Sequence, residues 1–71
     1  MSEYTSTDPD ILSGATVFKG TRVLVQSLFD YLEGGDSIDE FISDFPTVKR
    51  DQVIGLLEEL KDGAIPEDKA A

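Results

Sequence analysis

Apolar residues recur along this chain in two rhythms, and the change between them falls near Val25. In the stretch TVFKGTRVLV, from Thr16 to Val25, Val17, Val23 and Val25 share one parity while Phe18 and Leu24 take the other. That period of two predicts short β-structure. From Val25 onward the period lengthens. Val25, Leu28, Phe29 and Leu32 stand at i, i+3, i+4 and i+7, which lines them on one helical face, and Gly34-Gly35 supplies the stop. Ser37 then precedes Glu40 by three residues, the spacing of a capping box in which each side chain satisfies the other residue's backbone N–H. A second helix follows, striped by Ile38, Phe41, Ile42 and Phe45 and ended by Pro46. The third begins after Thr47 or Lys49, carries Val53, Leu56, Leu57 and Leu60, and closes at Lys61, Gly63 and Pro66.

Three short helices with matching stripes need one shared core to cover them. The predicted fold class is mainly α: a short N-terminal β-hairpin or strand element, then a three-helix bundle containing a helix-turn-helix-like pair. Its expected core is Phe18, Val23, Leu28, Phe29, Leu32, Phe41, Ile42, Phe45, Val53, Leu56, Leu57 and Leu60. Residues 1–9 are polar and hydroxyl-rich and read as a mobile lead ending at Asp8-Pro9, with order beginning near Ile11. Residues 10–63 then form a single domain, and 64–71 a frayed tail.

The break in the alternating stretch, Lys19-Gly20-Thr21-Arg22, has to be tested as a phosphate loop. A Walker loop needs two glycines followed by Lys-Ser/Thr at a helix start, and here one glycine follows the lysine. A dinucleotide fingerprint fails as well, because Gly20 has no companion glycine two residues on. The segment reads as a tight turn, with Gly20 at positive φ folding Val17 and Phe18 against Val23. Arg22 leaves the turn at the domain's edge, to pair with a local carboxylate or carbonyl or to contact a partner.

Across the joint of the second and third helices, Ile42, Ser43, Val48, Val53 and Leu56 resemble helix-turn-helix spacing. Ser43 is the small residue that permits close packing, Val48 the plug of the turn, and Val53 and Leu56 the anchors of the recognition helix. Lys49, Arg50, Asp51 and Gln52 then face outward at the start of that helix, with Ile54 and Gly55 a turn later. Lys49 and Arg50 suit phosphate or guanine and Gln52 suits adenine. The competing account makes them solvated residues of a protein-interaction helix.

Charge pulls toward that second account. The chain's 71 residues carry 15 acidic and 6 basic side chains, a net charge of −9, and the basic ones are scattered along the sequence. Counterion release by DNA needs several cations on one face, so a basic protein partner suits this surface better. Lys19, Arg22, Glu58 and Glu59 are the candidate partner or oligomer contacts. Glu58, Glu59 and Asp62 close the third helix, where negative charge opposes the helix dipole.

Composition also removes whole classes of chemistry. Without cysteine or histidine there is no disulfide framework, thiol nucleophile, imidazole base or ordinary zinc site. Asp36, Asp39, Glu40 and Asp44 lack the alternating ligands of a calcium loop and read as a polar helix face. A domain of this size buries only about 60% of the surface its unfolded chain exposes, leaving little room for a deep cleft. A non-enzymatic protein without metal or cofactor is expected. With no apolar run approaching a membrane span and no signal-like start, the expected location is cytoplasmic, and an exposed strand edge near Val17 to Val23 suggests a homodimer.

The run from Asp8 through Leu60, with Asp8-Pro9, Ile11-Leu12, Gly14, Gly20-Thr21-Arg22 and Phe45-Pro46 as landmarks, resembles the small prokaryotic family called domain of unknown function 433. That family commonly has a proline near Ala15 or Thr16 and a Ser or Thr where Lys49 stands, so the cap of the third helix departs from its pattern. The resemblance implies a helix-turn-helix-like antitoxin that neutralises a partner toxin and binds operon DNA as a dimer. The alternative is an acidic interaction or adaptor module without direct DNA binding.

Overall fold

The computed structural model describes residues 2–7, 9–10 and 14–64. Two strands, β1 (Thr5–Thr7) and β2 (Thr16–Phe18), precede three helices, α1 (Val25–Glu33), α2 (Ile38–Asp44) and α3 (Arg50–Ala64). The strands pair antiparallel, with Thr5 opposite Phe18, Ser6 opposite Val17 and Thr7 opposite Thr16. The segment expected as a lead outside the domain therefore carries a strand. Ile11, the expected start of order, and the tail beyond residue 64 lie outside the described residues.

Beyond β2 the Lys19-Gly20 break is a turn. Gly20 holds φ +80, the sign a type II turn requires at its third position. The Thr21 N–H donates to the Phe18 carbonyl at 2.9 Å, and the Thr21 hydroxyl donates to the same oxygen at 2.8 Å. That hydroxyl also accepts the Val23 N–H at 3.0 Å, while the Phe18 N–H reaches the Val23 carbonyl at 2.9 Å. Val17 is additionally bridged to Leu24. β2 is thus flanked on both sides, by β1 and by the Val23-Leu24 segment, and among the described residues these two form the outer edges of the small sheet.

Both predicted helix signals operate. At the end of α1 the Asp36 N–H donates to the Tyr31 carbonyl at 2.9 Å and the Gly35 N–H to the Leu32 carbonyl at 3.1 Å, with Gly35 at φ +91. This is a Schellman stop, and the left-handed residue it requires is the glycine. At the start of α2 the Glu40 N–H donates to Ser37 Oγ at 3.1 Å and the Ser37 N–H to Glu40 Oε1 at 2.7 Å, closing the capping box.

The core comprises Phe18, Leu28, Phe41, Val48, Val53 and Leu56, and Val23, Val25, Tyr31, Leu32, Ile38, Ile42, Phe45 and Leu57 pack around it. Val17 is buried beside them. Two expected core residues sit elsewhere. Phe29 is half-buried outside the packed cluster, because α1 is rotated to present Tyr31. The Tyr31 ring meets Phe41 and Phe45 edge-on, with centroids at 5.3 and 5.8 Å, and edge-to-face geometry suits the ring quadrupoles. Leu60 is 46% exposed, because the bundle ends before the last turns of α3. Val48, the expected plug, is buried, whereas Ser43, expected to allow close approach of the helices, is exposed.

Candidate nucleic-acid and partner interface

α3 begins with a side chain that works in two directions. Gln52 Oε1 accepts the Lys49 N–H at 2.9 Å, which satisfies an orphan donor at the helix entrance as the glutamine half of a capping box would. Gln52 Nε2 donates to the Lys19 carbonyl at 2.9 Å. One amide therefore ties the start of α3 to the turn after β2, across 33 positions of sequence.

The consequence is electrostatic. Lys19 and Lys49 are drawn to one corner, Arg22 follows the turn that contains Lys19, and Arg50 follows Lys49. Two lysines distant in sequence are thus brought to one corner by the Gln52 bridge, with Arg22 and Arg50 close to them along the chain. The amino-terminal end of α3 adds the positive pole of its dipole. Lys19, Arg22, Lys49 and Arg50 are all exposed. Arg50 is ion-paired with Asp39 at the start of α2, and both side chains are largely exposed, so solvent screens the pair. Among the described residues, Lys19, Arg22 and Lys49 make no ion pair.

Of the three proposed DNA contacts, Lys49 is brought beside Lys19, Arg50 is paired with Asp39, and the Gln52 amide has a structural task in place of an open reading position. Gly55, expected to face outward, is covered. A Cβ built there would lie 2.3 Å from Cζ of Tyr4, so the Tyr4 ring rests on α3 where a side chain would otherwise stand. The same amino-terminal segment is held by the Lys19 N–H donating to the Tyr4 carbonyl at 2.9 Å and by Ser2 Oγ donating to Glu59 Oε1 at 2.7 Å. A glycine inside a helix costs about 1 kcal/mol relative to alanine, and this packing is the reason for one at position 55. Sequence periodicity could not reveal it, because neither Tyr4 nor Gly55 belongs to an apolar stripe.

A shallow groove beside this corner, with a volume of about 220 Å³, is lined by Ser2, Thr5, Ser6, Thr7, Thr16 and Lys19. Hydroxyl groups and a lysine are neutral and cationic ligands for phosphate oxygens. At the opposite end of α3, Glu58 pairs with Lys61 at 3.3 Å, while Glu59 holds Ser2. The four candidate partner contacts thus fall at two places: Lys19 and Arg22 at the basic corner, Glu58 and Glu59 on the carboxyl-terminal half of α3.

Elsewhere, the Tyr31 hydroxyl donates to Asp44 Oδ2 at 2.6 Å. This bond to a carboxylate raises the phenol's pKa above its ordinary 10.0, with desolvation and the charges of Asp44, Asp36 and Glu40 acting in the same direction. Among the described residues no polar or charged side chain is buried, and no three carboxylates form a cradle for a metal ion. No helix among them is long and apolar enough to cross a membrane.

A small two-stranded, three-helix domain with these features belongs to the family described as "Protein of unknown function (DUF433)", whose model matches residues 6–59. No curated protein and no solved structure matches the chain.

Proposed function

We propose that this domain is a non-enzymatic, antitoxin-like protein of the cytoplasm that binds a basic partner protein and contacts operon DNA through its basic corner. The observation that carries the reading is the Gln52 bridge, which brings Lys19 and Lys49 together, each with an arginine close by in sequence, in a chain whose net charge is −9. Phosphate binding depends on cations sharing a face, and a basic partner would offset the acidity of the rest. With Gln52 engaged and Gly55 covered, the contacts proposed are to the DNA backbone more than to base edges. Among the described residues β1 and the Val23-Leu24 segment form the outer edges of the sheet, which supports pairing of two copies into a homodimer, and sedimentation at low micromolar concentration tests this.

A second reading, an adaptor without direct DNA contact, draws on the Arg50–Asp39 ion pair, which already occupies one of the candidate DNA cations. Binding to the upstream promoter fragment at two salt concentrations separates the two, measured with and without the product of the neighbouring gene. Loss of two phosphate contacts in the Lys49→Ala, Arg50→Ala double variant is expected to flatten the slope of log affinity against log salt by about 2 units. An unchanged slope, or no specific binding under either condition, replaces the DNA reading with the adaptor. Failure of the neighbour's product to bind the protein removes the antitoxin reading.

A further inference from the structure

We infer that Tyr4 is a positioning residue for the basic corner: its ring, seated on Gly55, holds the turn that carries Lys19 in place to meet a DNA phosphate. The inference rests on the phosphate contacts proposed above and names what builds their geometry. Along α3, Gln52, Gly55 and Glu59 stand at i, i+3 and i+7, which sets them on one line of the helix. Each meets the chain that precedes α1. Gln52 Nε2 donates to the Lys19 carbonyl, the Tyr4 ring lies on Gly55, and the Ser2 hydroxyl donates to Glu59.

These contacts close a circuit. The Lys19 N–H donates to the Tyr4 carbonyl at 2.9 Å, the Lys19 carbonyl accepts from Gln52, and one turn further along α3 Gly55 returns the path to the Tyr4 ring. The Lys19 backbone is therefore gripped on both sides. The bond from Gln52 is exposed and competes with water, whereas the ring excludes water from the notch it fills. The ring sits with Cζ, Cε1 and Cε2 nearest the place a Cβ would take, so a hydrogen atom at position 55 is what lets the circuit close.

What the circuit holds is a cation. It sets Lys19 beside Lys49, and like charges repel unless an anion lies near them. Among the described residues neither lysine makes an ion pair. A phosphate oxygen relieves the repulsion that the circuit sustains. The strand that follows Tyr4 also brings Thr5 and Ser6 to the groove that Lys19 lines, adding hydroxyl donors beside the ammonium group.

The test is Gly55→Ala, in which alanine favours the helix while its Cβ takes the place of the ring. Tyr4→Ala removes the ring from the other side, and Tyr4→Phe keeps it. In the isotope-labelled protein without DNA, both alanine variants are expected to speed amide exchange at Lys19 and to shift the Gln52 side-chain amide, with the Val53 and Leu56 amides still protected. With the upstream promoter fragment, both are expected to flatten the slope of log affinity against log salt by about 1 unit, the share of one phosphate contact, as Lys19→Ala does. Tyr4→Phe is expected to keep the wild-type slope. A merely structural Tyr4 lowers the thermal transition and leaves the slope alone. Wild-type exchange at Lys19 in Gly55→Ala overturns the inference whether or not DNA binds. So does a wild-type slope in Gly55→Ala, or in Lys19→Ala, when the wild type binds the promoter. A wild type that binds no promoter DNA is instead the failure of the function proposed above, and the positioning role falls with it.

Discussion

The two halves of α3 are one continuous helix with opposite relations to the rest of the molecule. The first half is held from three directions: Val53 and Leu56 in the core, Gln52 bonded to the turn after β2, and Gly55 beneath Tyr4. The second half leaves the bundle, with Leu60 open to water and its carboxylates facing outward. Similar residue types thus serve different ends. In the anchored half a leucine is a structural element and the nearby cations are placed by the fold, while in the overhanging half a leucine is surface available for contact.

The strongest way to break this comparison is to make one substitution in both halves. Leu56→Ala is expected to lower unfolding stability by about 2–5 kcal/mol, the range for truncating a buried leucine. Leu60→Ala should change it by less than about 0.5 kcal/mol, as exposed sites do. Urea denaturation measures both, and comparable losses would mean that the carboxyl-terminal half is packed in solution.

A smaller effect sharpens the comparison through hydrogen bonding. Gln52→Ala removes two side-chain bonds to backbone groups and is expected to cost about 1–2 kcal/mol. It also frees the turn carrying Lys19, so amide exchange at Lys49 and Thr21 should accelerate. Glu59→Ala, which removes the bond from Ser2 on the overhanging half, should cost under about 0.5 kcal/mol. Equal effects would remove the distinction between a bridge that organises the basic corner and a surface contact.

Tyr31 belongs to neither half and supplies the control. Its pKa is raised in the folded state, so the unfolded chain loses this proton first. The stabilisation from the neutral phenol is fully present below the unfolded value near 10.0 and declines as pH rises through the higher folded value. Stability followed from pH 9 upward should fall less steeply in Tyr31→Phe than in wild type. An identical slope in the two proteins would show that the bond to Asp44 contributes nothing to the alkaline transition.

Much of this architecture was legible in local sequence because its signals act over a few residues. The Ser37 and Glu40 capping box, the Gly34-Gly35 stop, the Gly20 turn and the apolar stripes each depend on spacing within one helix or turn, so periodicity and backbone preference sufficed to locate them. The strand at Thr5–Thr7 was not legible. Three hydroxyl residues have no apolar alternation, and they form a strand because β2 offers them an edge.

The amino-acid sequence by itself determined the three helices, their ends, most of the core and the net charge of −9. Only the tertiary structure decided where the charges and the uncovered leucine would stand. Lys19 and Lys49 became neighbours through a single glutamine amide that spans segments distant in sequence. Val53 and Leu60 occupy the same line of one helix, yet one is buried and the other exposed. The physical reason is that periodicity sets which side of a helix a residue lies on, while burial depends on how far the neighbouring elements extend beside it.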